Sequence, residues 1–282
     1  CYDSDGDGFS NPTSSWDWLD GADAFPNDEL RWIDDDQDQF DDLLDDDCNS
    51  DSGTSTQDRI GCPDGDGDGY SDPGNGWSAA DGADAFPDVA SQWSDTDGDG
   101  FGDNQTGLSP DDCPSSGGNS TLDRLGCPDS DGDGYSNSDA TFPAHPDGTA
   151  DAFPSDETQW EDNDSDGFGD NSLGTTPDDC PDIAGPSNIG RYGCPDSDGD
   201  GVPESFDVSW TLAMGADAFP NEASQWLDLD NVGFGDNPSG NQADACPYSP
   251  GDSIGGGNFG CIDSDGDGWA DEFDDFPTVI SQ

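Results

Sequence analysis

The sequence predicts a mostly irregular, elongated chain of tandem repeats that is stapled by disulfides and has few short helical turns and little regular secondary structure. Only 28% of the 282 residues are hydrophobic and the formal net charge is -64, so an ordinary apolar core cannot offset the chain entropy. The 40 glycines and 21 prolines interrupt the chain throughout, and neither a helical period nor runs of β-branched residues appear. Short helical turns are expected after the Phe-Pro pairs, as in the segment 221–225. One pattern of Cys and Asp residues instead recurs along the whole sequence.

Each repeat begins at a cysteine and follows one order of motifs. It opens with Cys-x-Asp-x-Asp-Gly-Asp-Gly, passes a variable insert, reaches Ala-Asp-Ala-Phe-Pro or a related segment, and places a Trp seven residues after that Phe. The Phe and Trp positions are predicted to be packing contacts rather than a carbohydrate-binding surface. Because Gln282 stops where the next Trp is due, we expect a window from a longer array. The predicted units are 1–61, 62–126, 127–193 and 194–260, followed by the partial unit 261–282.

The opening motif of each unit forms what we call the first-type loop. Carboxylates at positions 1, 3 and 5 converge on one point, and Gly at position 6 permits a sharp bend, as in calcium loops. A position-7 carbonyl and a position-9 side chain add further oxygen ligands. The predicted carboxylate ligands are Asp3, Asp5, Asp7, Asp64, Asp66, Asp68, Asp129, Asp131, Asp133, Asp196, Asp198, Asp200, Asp263, Asp265 and Asp267. The position-7 carbonyls belong to Phe9, Tyr70, Tyr135, Val202 and Trp269, and the position-9 ligands are Asn11, Asp72, Asn137 and Asp271, with Glu204 at this position in the fourth unit.

The last fragment indicates which acid closes the first-type loop. Asp274 falls at position 12 counted from Asp263, where a calcium loop places its bidentate acid. The segment around Asp274 aligns with Ala-Asp-Ala-Phe-Pro, so the inserts only displace this acid along the chain. The corresponding closing acids are Asp23, Asp84, Asp151 and Asp217.

A second-type loop follows each Trp and repeats the alternate-residue spacing. Gln39 replaces the position-6 Gly in the first unit, and Val232 replaces the position-5 acid in the fourth, so we expect the site that begins at Asp228 to be the weakest. The predicted ligands at positions 1, 3 and 5 are Asp34, Asp36, Asp38, Asp95, Asp97, Asp99, Asp162, Asp164, Asp166, Asp228 and Asp230. The predicted position-7 carbonyls belong to Phe40, Phe101, Phe168 and Phe234, the position-9 acids are Asp42, Asp103, Asp170 and Asp236, and the closing acids are Asp46, Asp111, Asp178 and Asp244.

Nine such loops in register favour specific calcium binding over solvated acidic loops without metal. Magnesium suits them less because it demands a rigid octahedron and keeps its water, and zinc lacks its usual ligands. One divalent ion per loop would neutralise less than a third of the net charge of -64, so further ions that share carboxylates are compatible with the sequence.

The cysteines predict local disulfides and an oxidising compartment. The pairs Cys48 with Cys62, Cys113 with Cys127, Cys180 with Cys194 and Cys246 with Cys261 recur at nearly constant spacing. A loop of this size closed by a disulfide contributes about 3 kcal/mol. Zinc binding or a nucleophilic Cys is the alternative. Cys1 aligns with the second member of a pair, so its partner is expected upstream, or else it is a lipid-modified N-terminal cysteine.

Charge and composition exclude several classes of function. The charge of -64 disfavours nucleic acid and anionic membranes as partners, and no apolar stretch is long enough to span a bilayer. His145 is the only His, so no His-based triad can form, and no carboxylate pair sits beside an apolar segment that would tune it for acid catalysis. We therefore expect no enzyme. Glycans are possible at the sequons of Asn119, the best candidate, and Asn104.

The segments Asp-Ser-Asp-Gly-Asp-Gly-Tyr, Asp-Thr-Asp-Gly-Asp-Gly-Phe-Gly-Asp-Asn and Asp-Asp-Cys-Pro resemble thrombospondin type 3 repeats, and the resemblance covers essentially all units. It implies irregular backbone wrapped around calcium ions, with disulfides and little hydrophobic core. The inserts and the Ala-Asp-Ala-Phe-Pro segment make the chain more similar to prokaryotic surface proteins with such repeats than to animal matrix proteins.

These observations lead to one expected function and two alternatives. The expected function is a calcium-rigidified stalk or filament on or outside the cell, built by self-association or by continuation of the array into a fibre, because repeats that contact only their neighbours form elongated bodies. One alternative is an adhesive module that binds glycans through insert residues such as Trp16 and Trp77. The other is a calcium-stiffened spacer attached to a secreted enzyme.

Overall fold

The computed structural model describes residues 1–205 and 209–280 and divides into two units, Cys1–Ser136 and Asn137–Gln282. Regular secondary structure in the described residues is limited to three single-turn 3-10 helices and one pair of strands. The strands β1 (Asn188–Ile189) and β2 (Arg191–Tyr192) are antiparallel, with Asn188 opposite Tyr192. The helical turns are Trp18–Asp20, Ala79–Asp81 and Leu212–Met214. The predicted irregular, turn-rich fold is confirmed.

The helical turns lie in the inserts, and not after the Phe-Pro pairs where the sequence predicted them. The segment 221–225 was expected to be helical, but it forms two successive turns, closed by hydrogen bonds from Glu222 N–H to the Phe219 carbonyl and from Gln225 N–H to the Glu222 carbonyl, both 2.8 Å. The insert turns end instead at a glycine with positive φ, such as Gly82 at 111°. Only glycine adopts this conformation without strain, so each insert turn stops there.

The four predicted disulfides are confirmed. They join Cys48 to Cys62, Cys113 to Cys127, Cys180 to Cys194 and Cys246 to Cys261. In each pair the second cysteine is buried, as in Cys127 with 0% exposure. Each bond closes what we call a disulfide loop, and this loop lies between a second-type loop and the next first-type loop. Four such bonds indicate an oxidising environment. Cys1 is exposed and unbonded.

Polar side chains fill the interior where most proteins have apolar ones. The buried apolar residues of the described chain are chiefly Ala and half-cystine, whereas the largest fully buried side chains include Gln92, Gln159 and Gln225 and several Asp residues. Gln92 donates from Nε2 to the carbonyls of Asn104 and Leu108, both at 3.0 Å, and accepts from Asn104 N–H at 2.9 Å. This amide therefore closes the second-type loop from within.

Aromatic rings pack on the outside of the loops. Trp32 stacks on Phe9 and Trp93 stacks on Tyr70, with ring centroids 5.2 Å apart in both pairs. These contacts agree with the predicted packing role of the Trp. The position-7 side chain, for which only a carbonyl ligand was predicted, is the packing partner. No helix in the described part of the chain is long or apolar enough to cross a bilayer.

Two arginines, Arg59 and Arg191, pack against insert tryptophans. The Arg59 guanidinium lies over the Trp77 ring at 5.5 Å and donates to the Asp47 carbonyl at 3.1 Å. Arg191 lies over Trp210, also at 5.5 Å. Trp18 is the most exposed of the insert tryptophans in the described ranges, at 40%. Arg191 also forms an ion pair with Asp179 Oδ1 at 4.0 Å, so it contacts a neighbouring Asp as well as the Trp210 ring.

Candidate metal centres

In each first-type loop the backbone wraps around the carboxylate at position 1. Asp64 Oδ1 accepts from Gly67 N–H at 2.8 Å and Asp64 Oδ2 accepts from Gly69 N–H at 3.0 Å. Both glycines have positive φ, 83° and 100°, which lets the chain reverse twice within three residues. Asp68 Oδ1 in turn accepts from Tyr70 N–H at 2.9 Å. The loop is thus fixed by its own hydrogen bonds, and the remaining carboxylate oxygens are turned towards one point.

The convergence is close enough for a metal ion. One oxygen from each carboxylate at positions 1, 3 and 5 lies within 4.8 Å of the others in several loops. Asp triplets of both loop types are therefore positioned to hold a metal ion. The triplets that meet this distance include those that begin at Asp3, Asp34, Asp64, Asp95 and Asp129.

Many of the converging oxygens are buried without a hydrogen-bond partner among the described residues. In the loop that begins at Asp64, these are Oδ2 of Asp66, of Asp68 and of the closing acid Asp84. Leaving a buried carboxylate oxygen unpaired is costly, and native proteins contain few such groups, so a bound cation is the natural partner. The other first-type loops repeat the pattern at Oδ2 of Asp5, Asp7, Asp23, Asp131, Asp133, Asp198, Asp200 and Asp265.

Asp84, the predicted closing acid of the loop that begins at Asp64, lies beside Asp66 and Asp68. Asp84 is 1% exposed, and its N–H donates to the Ser71 carbonyl at 2.9 Å, which closes the insert at its base. Burial, and then the charges of Asp68 and Asp66, raise the pKa of Asp84 to about 6. The same causes raise the pKa of Asp217 to about 6 beside its own loop.

The other predicted closing acids of first-type loops differ in their surroundings. Asp23 is buried beside Asp7, and burial raises its pKa. Asp274 is half-buried, and its Oδ1 accepts from Phe276 N–H at 2.8 Å, as Asp84 Oδ1 does from Phe86 N–H at 2.7 Å. The loop that begins at Asp129 belongs to the unit Cys1–Ser136, whereas Asn137 and Asp151 belong to the other unit and form a bridge with each other.

The position-9 side chain is anchored by the N–H of position 2. Asp72 Oδ1 accepts from Gly65 N–H at 3.1 Å, which holds the carboxylate at the mouth of the loop. Glu204 occupies position 9 of the loop that begins at Asp196, and its Oε1 accepts from Ser197 N–H at 2.7 Å. The same bond is made by Asn11 at 3.0 Å and by Asp271 at 2.7 Å.

Second-type loops keep the same backbone path even where the sequence departs from it. Asp34 accepts from Gln37 N–H at 2.7 Å and from Gln39 N–H at 3.2 Å, as the position-1 Asp of the other loops does. Gln37 and Gln39 have φ of 71° and 78°, although neither is glycine. Ser165 and Asn231 are strained in the same way, with φ of 65° and 61°. Convergence of the carboxylates is thus retained at a cost in backbone strain.

The position-3 Asp leaves more oxygens without a hydrogen-bond partner in second-type loops than in first-type loops. Both oxygens of the position-3 Asp are buried without a partner, as in Asp36, whose pKa is raised to about 6 by burial and by Asp38. Burial also raises the pKa of the closing acids, to about 6 for Asp111 and about 7 for Asp178. The remaining unpaired oxygens are both of Asp97, Asp164 and Asp230, Oδ2 of Asp46, Asp111, Asp178 and Asp244, and Oδ1 of Asp170 and Asp236.

Two predicted ligand positions differ from the rest. Burial alone would raise the pKa of Asp103, but hydrogen bonds from the Ser94 and Thr96 hydroxyls outweigh it and lower that pKa. Asp103 is therefore already engaged with protein donors. In the fourth unit Val232 stands at position 5, so the loop that begins at Asp228 lacks one carboxylate, and its predicted weakness stays a prediction.

Sequence reasoning missed a carboxylate that lies beside each of two first-type loops. Asp58 accepts from Ser71 N–H at 2.9 Å and from Ser71 Oγ at 2.6 Å, and its charge contributes to the raised pKa of Asp68. Asp123 and Ser136 repeat this pair. The signal was in the sequence, because in both repeats an Asp lies four residues before a cysteine and a Ser lies nine residues after it.

A scan against known family models finds no match to the chain. A search of curated proteins finds no relative.

Proposed function

We propose that this chain is an extracellular calcium-binding structural repeat protein, related to thrombospondin type 3 repeats, that serves as a rigid stalk or filament. The observation that carries the proposal is the set of buried, converging carboxylate oxygens without hydrogen-bond donors among the described residues. A folded chain cannot keep these negative charges together unless cations neutralise them.

The chemistry of the ligands favours calcium over other metals. Every predicted ligand atom is an oxygen from a carboxylate, an amide or a backbone carbonyl, and hard oxygen sets of variable geometry suit calcium. Nitrogen ligands are scarce, because His145 is the only His and its Nδ1 accepts from Asp162 N–H at 3.3 Å. The cysteines are in disulfides except Cys1. Zinc and copper therefore have no suitable ligand set among the described residues.

The role we propose is mechanical rather than catalytic. The carboxylates with raised pKa lie beside other carboxylates of the same loop, and cation binding accounts for that clustering without acid–base chemistry. Repeats that are each stabilised by their own ions and disulfides, and that contact only their neighbours, form stiff linear arrays. An oxidising, calcium-rich location outside the cell fits both features.

Elemental analysis after dialysis tests the proposal. The oxidised chain is dialysed against equal millimolar concentrations of calcium and magnesium, and bound metal is counted. We expect about nine or more calcium ions per chain and little magnesium. Asp84→Asn removes a closing acid and should lower the count, whereas Asp88→Asn, at an exposed position nearby, should not. Retention of equal amounts of both metals, or of neither, would refute calcium specificity.

A second candidate function is adhesion through a sugar. An open groove of about 750 Å³ in the second repeat is lined by Tyr70 and Trp93, by small residues such as Ala79, and by Thr96 and Asp97 of a second-type loop. Aromatic rings beside polar oxygens are typical of carbohydrate sites. In the first repeat the position of Ala79 is taken by Trp18. Binding of the native chain, but not of the Ala79→Trp variant, to a glycan array would support adhesion. Absence of binding by the native chain would exclude it.

The two candidate glycan sites differ in accessibility. Asn119 is exposed, so its side chain is accessible to a transferase. Asn104 donates from Nδ2 to the Ser91 carbonyl at 2.8 Å, and its Oδ1 accepts from Thr106 N–H at 3.1 Å. Glycosylation of the folded chain is therefore proposed at Asn119, and mass spectrometry of native material tests it.

A further inference from the structure

Each second-type loop shares hydrogen bonds with the disulfide loop that follows it. In the second repeat, Gly118 of the disulfide loop donates its N–H to Asp99 Oδ2 at 2.8 Å. At the other end of the same loop, Cys113 donates its N–H to the closing acid Asp111 at 2.6 Å. The carboxylates at position 5 and at the closing position are therefore both held by the segment that the Cys113–Cys127 bond closes.

The same two contacts recur in other repeats. Gly53 donates to Asp38 Oδ2 at 3.2 Å, and Gly185 donates to Asp166 Oδ2 at 2.9 Å. The closing acid accepts from the N–H of a half-cystine in every repeat: Asp46 from Cys48 at 2.7 Å, and Asp178 from Cys180 and Asp244 from Cys246, both at 2.6 Å. Recurrence at these positions makes the contact a property of the repeat.

The disulfide loop and the second-type loop are closely packed against each other. A Cβ on Gly126 would lie 2.4 Å from Asp111 Oδ1 and 3.2 Å from Asp99 Oδ2. A Cβ on Gly118 would lie 1.9 Å from the carbonyl oxygen of Cys127. Both glycines are therefore pressed between the half-cystine and the carboxylates, and opening of the disulfide loop must displace the groups that hold the ligands.

We propose that cation binding in a second-type loop and the disulfide of the same repeat are thermodynamically linked. The inference rests on the proposed function, since it requires that the loop binds a cation. A bound ion fixes Asp99 and Asp111, which hold the disulfide loop closed, and the closed loop pre-organises those two carboxylates for the ion. Linkage is reciprocal, so calcium protects the disulfide from reduction and the disulfide raises the affinity for calcium by the same factor.

Reduction by a dithiol requires access to a sulfur of the bond, and the closed loop restricts that access. A thiolate of the reagent attacks one sulfur of the Cys113–Cys127 bond and forms a mixed disulfide, and the other cysteine leaves as a thiolate. The second thiol of the reagent then displaces the first cysteine. The reagent ends as a cyclic disulfide after giving two electrons, and the protein sulfurs end as two thiols. Cys127 is 0% exposed and Cys113 is half-buried, so opening of the loop makes both sulfurs more accessible to the reagent.

The fourth repeat lacks part of the link and supplies an internal comparison. Val232 stands where Asp38, Asp99 and Asp166 stand elsewhere, so no position-5 carboxylate is present to accept from Gly251. The backbone is otherwise placed alike, since a Cβ on Gly251 would lie 2.0 Å from the carbonyl carbon of Cys261. Calcium should therefore protect Cys246–Cys261 less than the other three bonds, and Val232→Asp should restore the protection.

Time-resolved alkylation of the full chain measures each bond separately. The oxidised protein is exposed to a dithiol in calcium or in chelator, trapped with a thiol-alkylating reagent at intervals, and digested for mass spectrometry of the cysteine peptides. We expect calcium to slow reduction of Cys48–Cys62, Cys113–Cys127 and Cys180–Cys194 about tenfold, and Cys246–Cys261 less. Val232→Asp should slow reduction of Cys246–Cys261 in calcium only.

Two variants in the second repeat sharpen the test. Asp97→Asn removes a ligand of the second-type loop and should abolish the protection of Cys113–Cys127, while Cys180–Cys194 in the same molecule keeps it. Asp66→Asn alters the first-type loop of that repeat and should leave Cys113–Cys127 protected.

The outcomes separate the inference from the function on which it rests. Bound calcium with unchanged reduction rates, or equal protection of all four bonds with no effect of Val232→Asp, overturns the linkage and leaves the proposed function standing. Absence of bound calcium in elemental analysis of the same sample overturns both.

Discussion

Ser71 Oγ donates a 2.6 Å hydrogen bond to Asp58 Oδ2, and this contact joins a disulfide loop to the first-type loop that follows it. Asp123 and Ser136 repeat the contact at 2.7 Å. Where the partner Asp is replaced by Gly190, the serine position is taken by Pro203, so the two residues are lost together. The Asp and the Ser therefore occur together in some repeats and are both absent from others.

Removal of one member of this pair should weaken the repeat that contains it. Ser71 is 0% exposed, so Ser71→Ala leaves part of a carboxylate without its donor and should lower the free energy of unfolding by about 1 kcal/mol. Asp58→Asn and the double variant complete a cycle, measured by thermal unfolding in calcium. Strictly additive effects would contradict a direct interaction.

Relief of backbone strain in the first repeat should stabilise the chain. Gln39 has φ of 78°, in the left-handed region that favours glycine, so Gln39→Gly should raise the free energy of unfolding by about 1 kcal/mol. Gln57 is not among the residues with positive φ, and Gln57→Gly serves as the matched control that should not stabilise. Denaturant unfolding in calcium measures the free energy of unfolding of both variants. Equal effects of the two variants would contradict backbone strain at Gln39 as the cause.

Replacement of a closing acid should have opposite effects with and without calcium. Asp84→Asn removes a buried negative charge that repels Asp66 and Asp68, so the melting temperature in chelator should rise or stay unchanged. In calcium the same variant loses a ligand, and its melting temperature should fall below that of the native chain. A fall of similar size under both conditions would show that Asp84 acts only through packing.

Calcium binding should release protons near pH 6. Burial raises the pKa of Asp84 and Asp111 to about 6 and that of Asp178 to about 7 in the metal-free fold, from an ordinary value of 3.8. A raised pKa means that the folded state binds protons more tightly than the unfolded state. The metal-free chain is therefore stabilised at low pH, and this contribution is lost as the pH rises through about 6 to 7.

The calcium-loaded chain should show the reverse trend, because calcium must displace these protons and its affinity falls as the pH falls through the same range. A weakly buffered sample at pH 6 should acidify when calcium is added, and a sample at pH 8 should not. Equal proton release at both pH values would contradict the assignment.

Much of the fold followed from the spacing of Asp and Cys. Alternate-residue carboxylates with glycine at position 6 define a turn by local stereochemistry, so the loops and the disulfides were predictable. Asp84 was placed by alignment with the insert-free last fragment. These features are local or repeated. Comparison of the repeats shows which segments keep their order when an insert changes their spacing in the sequence.

Other features were not predictable, mainly because they depend on long-range packing. Gln92 fills the interior of a second-type loop, although glutamine is ordinarily a surface residue. Trp77 is covered by Arg59 only because the disulfide loop brings the two together. The helical turn Ala79–Asp81 lies in an insert, where the local sequence signal is short and weak. The first two depend on contacts between segments far apart in the repeat, and the third is a single turn closed by local hydrogen bonds.

The most direct test of the account is a crystal structure in millimolar calcium with anomalous diffraction collected to locate the ions. The account predicts an anomalous peak among the carboxylates of Asp64, Asp66, Asp68 and Asp84, with calcium–oxygen distances of about 2.3–2.6 Å. A well-ordered map under the same conditions with water or no density among those oxygens would contradict it.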